Sequence, residues 1–451
     1  MALKSINPFT NEVIKENEED NKQQILEKLE KASNAFTEWK FSDFKTRATN
    51  MVNITNILKA NKEKYARLMT DEMGQPITES RSEIEKCSWV CSYYADNAPG
   101  FLQNENIETD AEHSYVSYEP LGTVLAIMPW NFPFWQLFRF AAPALMAGNV
   151  ALLKHASNVQ GCSQAIQDIM HEAGYPDGVF QSLMISSSEA SKIIDDERIA
   201  AVTLTGSEFA GAKVAEIAGR NVKKTVLELG GNNAFIVLDD ADIDKAVDIG
   251  VKARMQNGGQ SCIAAKRFII HEKVYDQYLD KFIDKMKKIT PGDPASTETQ
   301  LGPLASVDQA ELVEKQVKDS VHKGAKLILG GQRDSAIFEP TVIENMKPDM
   351  PVFDEEVFGP VASFLKTSND LDCINISNMS KYGLGATIFT SNTDRARKMI
   401  PHVQDGSVFI NQLVKSDPRL PFGGTKKSGF GRELSHHGIK EFVNTKTVYI
   451  Q

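Results

Sequence analysis

Thr123-Val124-Leu125-Ala126-Ile127-Met128-Pro129-Trp130-Asn131-Phe132-Pro133 is the stretch on which the fold turns. Six apolar residues of strand length run straight into a loop stiffened by a proline on either side, and a helix-length apolar segment follows over 134–147. The unit then repeats. Asn149–Leu153, Val179–Met184, Ala200–Thr205 and Lys224–Leu229 read as buried strands, with helices expected around 158–173, 189–195 and 208–220. Strands and helices alternating at this size predict a parallel, doubly wound sheet with right-handed crossovers. After Gly230-Gly231, a candidate hinge, the rhythm resumes with a strand near 234–238, a helix over 242–257 and a strand at 266–270. This second α/β region extends to about Phe422.

Upstream, the first hundred residues have helical periodicity. Ile25, Leu26, Leu29, Ala32, Ala35, Phe36 and Trp39 share one face. A second run spans about Lys45 to Met73 and ends at Gly74, and a third runs from Thr78 towards Ala98, stopped by Pro99. These read as packing helices without chemistry. Ser114–Glu119 and Phe442–Ile450 are β-rich with alternating polarity. Strands of that kind at chain extremities pair either across a subunit interface or as intramolecular edge strands.

Composition bounds the function. The 451 residues allow about three domains. Apolar residues at 41% and charged residues at 24% exclude a disordered chain or a fibre. A net charge of −10 gives the wrong field for nucleic acid. Five cysteines, at 87, 91, 162, 262 and 373, fit neither a disulfide framework nor a metal ribbon. Free thiols in a cytoplasmic setting and no metal site are therefore expected. Between Leu121 and Leu153 the only charge is Arg139, but Pro129, Pro133 and Pro143 cut this apolar stretch into pieces too short for a membrane span.

Four places could carry chemistry. Cys262 follows Gly258-Gly259-Gln260-Ser261, a flexible, small-residue context that suits a nucleophile as well as a structural thiol. Glu228 interrupts an apolar strand just before Gly230-Gly231. A buried carboxylate there is either a general base or bent out to solvent. Asn131, held between prolines, offers an amide to an oxyanion or simply forms a turn. The small-residue turn Thr205-Gly206-Ser207 opens a helix and offers backbone N–H groups to a phosphate, and Lys154 ends a strand near it in the fold order.

Taken together these segments resemble the aldehyde dehydrogenase superfamily. The match runs in order along nearly the whole chain: Pro129-Trp130-Asn131-Phe132-Pro133, Lys154, Thr205-Gly206-Ser207, Leu227-Glu228-Leu229-Gly230-Gly231, Gly259-Gln260-Ser261-Cys262, Glu355-Glu356-Val357-Phe358-Gly359-Pro360 and Pro421-Phe422-Gly423-Gly424. The resemblance implies a Rossmann-like cofactor domain over 1–101 and 121–230, a second α/β catalytic domain over 231–432, and a small β oligomerisation arm from 102–120 and 433–451. It also implies a homodimer or a dimer of dimers. Cys262 would be the nucleophile, its backbone N–H and Asn131 the oxyanion hole, and Glu228 the base. Trp130, Lys154, Ser157, Gly206, Ser207, Glu356 and Phe358 would hold the cofactor.

Within the superfamily the chain is similar to the shorter bacterial succinate-semialdehyde dehydrogenases, on Arg139 and on Ser416-Asp417-Pro418-Arg419-Leu420-Pro421-Phe422-Gly423-Gly424. That implies Arg139, Gln136 and Arg419 as substrate residues. Gln256 stands where better-known relatives have a second substrate arginine. Ala264 stands where some have a second cysteine, so no disulfide at the site is expected. Three residues after Lys154, where NAD-preferring members carry a glutamate, the chain has Ser157, which leaves room for a 2′-phosphate. NADP is expected first and NAD second. A broad-specificity aliphatic or aromatic aldehyde dehydrogenase is the alternative. A coenzyme A-acylating reductase fits poorly with Glu228, and an inactive homologue fits poorly with Cys262 and Asn131.

Overall fold

Apolar strands flanked by helices form two separate sheets in a computed structural model that describes residues 3–451. The first sheet has six strands in the order Gly429–Phe430, Lys224–Glu228, Ile199–Thr205, Thr123–Met128, Val150–His155, Phe180–Ser182. The last five are parallel, and Gly429–Phe430 runs antiparallel against Lys224–Glu228. The chain starts this sheet in its middle, at Thr123–Met128, builds outward on one side and then crosses to the other. Every residue of Val150–His155 is buried, as a strand covered on both faces requires.

The second sheet has seven strands in the order Lys326–Leu329, Thr341–Glu344, Val361–Thr367, Ala265–His271, Asn233–Val237, Ala386–Phe389, Val408–Ile410. Only Lys326–Leu329 is antiparallel to its neighbour. Four residues, Leu229 to Asn232, join the end of the strand Lys224–Glu228 to the start of Asn233–Val237. The carboxyl edge of the first sheet therefore meets the amino edge of the second. That seam is where the chemistry gathers.

A third, antiparallel sheet pairs Val443–Ile450 with His113–Pro120 over eight residues and adds the short strand Glu105–Asn106. The two β-rich segments at the chain extremities thus pair with one another inside the chain. Val443–Ile450 forms an outer edge of this sheet, with Tyr449 and Ile450 exposed. Gly429–Phe430 belongs to the first sheet, and Phe422, Leu434, Ile439 and Phe442 pack in the core around it. After the second sheet the chain thus returns to the first unit before residue 432.

Three local readings of the sequence differ from the structure. Leu3–Ile6 and Val13–Asn17 form a β-hairpin ahead of the helices. Its strands are short and the second is almost wholly exposed, so it left no periodic signal. The run from Lys45 to Met73 is two helices, Phe44–Ala60 and Lys62–Met73, broken at Asn61. Gly74 ends the second in the left-handed conformation, as expected. The next helix spans Ile77–Phe101 and passes through Pro99. In the last turn, Pro99 deprives only one carbonyl of its donor, which is affordable. Among the described residues no helix is long and apolar enough to cross a membrane. The apolar stretch after Leu121 is a strand, the wholly buried helix Pro133–Met146 and a second strand.

Candidate active site

Cys262 lies in a loop whose shape is imposed from several sides. The helix Ile243–Met255 ends, and Asn257, Gly258 and Gly259 then take φ of 52°, 60° and 78° in succession. Glycine is required at 259 because a Cβ there would lie 2.2 Å from the Gly359 carbonyl oxygen. Asn257 donates from its backbone to Glu79 (2.7 Å) and from its side chain to the Asn131 carbonyl (2.6 Å). Arg254 donates to the Gly259 carbonyl at 2.6 Å, and Lys266 to the carbonyls of Ser261 and Cys262 at 2.9 and 3.0 Å. Backbone dipoles that would otherwise be orphaned beside the thiol are thus satisfied by two buried cations.

The Asn131 amide donates one hydrogen to the Gln260 carbonyl at 3.0 Å, which locks it to the cysteine loop and leaves the second amide hydrogen for another acceptor. Burial pushes the Cys262 thiol up to about 11. Arg139 pulls it down, the Glu356 charge pushes it up, and Lys266 lowers it. The resting thiol is protonated, so attack needs a proton acceptor nearby.

Gly230 and Gly231 serve close approach. Neither has a left-handed φ. A Cβ on Gly231 would sit 2.5 Å from the Cys262 carbonyl oxygen, and one on Gly230 would sit 2.5 Å from Glu356 Oε2. Their bareness brings the end of the Glu228 strand against the cysteine loop.

The Glu228 carboxylate is buried with no hydrogen-bond partner on either oxygen. Burial holds its pKa far above the carboxylate range. Glu433 raises it further, and Arg139 and Arg432 oppose both. Arg139 is itself in contact with Glu433, and both are buried. Arg139 also donates to Thr205 Oγ1 at 3.3 Å and lies over the Phe422 ring. Its charge is matched inside the protein.

Most of the residues expected to hold the cofactor leave the carboxyl edge of the first sheet, while Glu356 and Phe358 come from the loop before Val361–Thr367 of the second. Lys154 is buried, holds one long hydrogen bond to Ser187 Oγ (3.5 Å), and has its pKa lowered by burial. Ser157 is exposed just beyond it. Ser207 caps the helix Glu208–Arg220, its hydroxyl accepting from Ala210 N–H, and the bare Gly206 stands before it. Trp130 and Phe358 meet edge to face at 5.8 Å. Glu356 accepts from Gly231 N–H at 2.9 Å and pairs with Lys266 at 3.4 Å. An under-partnered ammonium, an open helix N-terminus and an anchored carboxylate suit a phosphate- and ribose-bearing cofactor.

A cleft of about 980 Å³ opens over Cys262. Gln136, Arg139 and Phe422 line it, and so do Glu79, Glu83 and Lys86 from the helix Ile77–Phe101. Arg419 is not on its wall. It is turned outward, paired in two places with Asp417 and lying over Trp89. Of the three expected substrate residues, the structure brings Gln136 and Arg139 to the cleft and leaves Arg419 out.

This helix was expected from the sequence, from Thr78 towards Ala98, but as a packing helix without chemistry. Glu79, Glu83 and Lys86 stand at i, i+4 and i+7, so they share the face that otherwise packs. Charges at apolar spacing were the available signal. Burial pushes Glu79 and Glu83 up to about 7 each. Glu433 was missed too, because its partner Arg139 is remote in sequence, and so were Lys266 and Arg254, whose acceptors are backbone carbonyls of the cysteine loop that no side-chain pattern reveals.

A model of the aldehyde dehydrogenase family matches residues 1–448. The probable NADP(+)-dependent succinate-semialdehyde dehydrogenase of Synechocystis is 46% identical over 453 residues, with both chains covered in full. Succinate-semialdehyde dehydrogenase [NADP(+)] 1 of Mycobacterium tuberculosis is 45% identical over 456 residues, again with full coverage of both. Among solved structures, succinic semialdehyde dehydrogenase from Streptococcus pyogenes in complex with NADP+ superimposes with a TM-score of 0.97, at 40% identity and full coverage of both chains. Betaine aldehyde dehydrogenase from Staphylococcus aureus in complex with NAD+ gives 0.95 at 30% identity, covering 99% of this chain and 91% of that one.

Proposed function

The chain belongs to the aldehyde dehydrogenase family, and from that premise we propose that it oxidises succinate semialdehyde to succinate with NADP, NAD being the weaker cofactor. What carries the reading is the meeting of Cys262, Asn131 and Glu228 at the seam of the two sheets, in a chain with full-length likeness to NADP(+)-dependent succinate-semialdehyde dehydrogenases.

The Cys262 sulfur adds to the aldehyde carbon, and its proton must leave for a nearby base or water. The developing oxyanion is met by the free amide hydrogen of Asn131 and the Cys262 N–H. Lys154, the Ser207 helix terminus, Glu356 and the Trp130–Phe358 pair hold the nicotinamide cofactor, which when bound supplies the hydride acceptor. Ser157 places no carboxylate where a 2′-phosphate would lie. Glu228 removes a proton from the water that hydrolyses the resulting thioester. Its partnerless oxygens are free for that water, and its burial raises its basicity. In this reading the first sheet is the cofactor domain, and the second sheet carries the cysteine.

A homo-oligomer joined at the free edge of Val443–Ile450 and a cytoplasmic, reducing setting for five free thiols complete the reading. Its test is a steady-state comparison of succinate semialdehyde, butanal and an aromatic aldehyde with both cofactors. Succinate semialdehyde with NADP should give the highest kcat/KM. Equal rates for charged and neutral aldehydes would instead support a broad-specificity enzyme.

A further inference from the structure

A substrate that carries a carboxylate needs a cation in the cleft, and two stand out there, the buried Arg139 and the half-buried Lys86. Arg139 is in contact with Glu433, donates to Thr205 and lies over Phe422, so its charge and much of its hydrogen-bonding surface are committed. Lys86, from the helix Ile77–Phe101, is different. Its Nζ donates to Ser416 Oγ at 2.6 Å and stands 4.1 Å from the centre of the Trp135 ring. A hydroxyl and an aromatic face solvate an ammonium without neutralising it. The carboxylates around it are anchored through other groups, although Glu83 Oε2 has no partner. Glu83 Oε1 accepts from the backbone N–H groups of Phe134 and Trp135, and Asp417 is held by Arg419. Gln136 is buried on the same wall, and its amide N–H group is a donor that a carboxylate can use. Lys86 and Cys262 line the same cleft, and the Arg139 charge acts on both.

We propose that Lys86, assisted by the Ser416 hydroxyl and the Gln136 amide, receives the distal carboxylate of the substrate and sets the preference for carboxylate-bearing aldehydes. The assignment rests on the function proposed above and names the residue that sets its specificity. It also accounts for Gln256, which needs no positive charge if Lys86 supplies it.

The experiment is kcat/KM for succinate semialdehyde and for butanal, with NADP, in the wild type, Lys86→Met and Lys86→Arg. The methionine keeps the aliphatic stem over Trp135, and the arginine keeps the charge. Lys86→Met should lower kcat/KM for succinate semialdehyde about thirtyfold or more, mainly through KM, and change butanal by less than about threefold. Lys86→Arg should retain most of the preference. Parallel losses on both aldehydes, or no loss on either, overturn the assignment. A wild type that does not prefer succinate semialdehyde overturns the functional reading and this assignment with it.

A second measurement needs no variant. Burial, with the like charge of Arg139, lowers the Lys86 pKa to about 8, opposed by Cys87, Glu83 and Asp417. The ratio of charged to neutral kcat/KM in the wild type should fall as pH rises through about 8, where the ammonium is lost. Lys86→Arg should remove that fall and leave only the change near 7 that ionisation of Glu79 and Glu83 brings. A ratio that stays flat through 8 in the wild type overturns the assignment.

Discussion

The guanidinium of Arg139 meets the carboxylate of Glu433 in an ion pair whose side chains are 2% and 4% exposed. Removing one member of such a pair leaves the other charged in a dry site, at a cost of about 3–5 kcal/mol. Arg139→Met should therefore lower the melting temperature and reduce kcat/KM for charged and neutral aldehydes alike. Thermal melts and parallel kinetics check this. A selective loss on succinate semialdehyde in a protein of normal stability would return Arg139 to the substrate.

Glu228→Gln keeps the shape and removes the base. The variant should release one burst of reduced cofactor per site and then stall as an acyl-enzyme, visible in stopped-flow absorbance and as added mass on the intact protein. In the wild type the raised pKa of Glu228 means that deacylation weakens as pH falls through it, because the carboxylate, the active form, is lost. Steady turnover by the variant, without an adduct, would contradict the role.

Cys262→Ala should abolish aldehyde oxidation and leave NADP affinity, read by calorimetry, close to that of the wild type. Alanine at Cys87, Cys91, Cys162 or Cys373 should leave the activity in place, since those thiols are buried and free.

Ser157→Glu should shift preference from NADP towards NAD by roughly 1–3 kcal/mol in the ratio of kcat/KM values, through repulsion of the 2′-phosphate and acceptance from a 2′-hydroxyl. An unchanged ratio would show that residue 157 does not face the ribose.

Gly231→Ala puts a methyl group where the Cys262 carbonyl oxygen now stands 2.5 Å away. The loop must move, and kcat should fall about tenfold or more while the melting temperature stays near that of the wild type, because catalysis is more sensitive to sub-ångström misplacement than packing is. If Gly231 were only a flexible joint, alanine would be well tolerated.

The alternation of strand and helix from Thr123 onward was legible because buried parallel strands are almost wholly apolar and their connecting helices are long. The hairpin at residues 3–17 and the break at Asn61 were not, since exposed strands and single-residue kinks leave no periodic trace. Cys262, Glu228 and Asn131 were legible as oddities: a thiol after glycines, a carboxylate in an apolar strand, an amide between prolines. For Arg139, a lone charge in an apolar stretch, the need for a buried partner was legible, but which partner was not. Its ion partner is 294 positions away in the sequence (433 minus 139) and is set by where the chain end folds back. Arg419 looked like a substrate cation for want of its neighbour's geometry, and the short-range pairing with Asp417 turns it outward.

The antiparallel strand Gly429–Phe430 has a consequence for biosynthesis. It covers the edge of the strand that ends in Glu228, and Glu433 follows it by three residues. A ribosome makes the doubly wound unit first, but that unit has an uncovered edge and an unpaired buried arginine until almost the whole chain has been translated. Domain-by-domain folding is thus held open at the base's own strand, and a nascent chain cut short before residue 429 should depend on a holdase, or precipitate, while its first sheet is otherwise fully encoded.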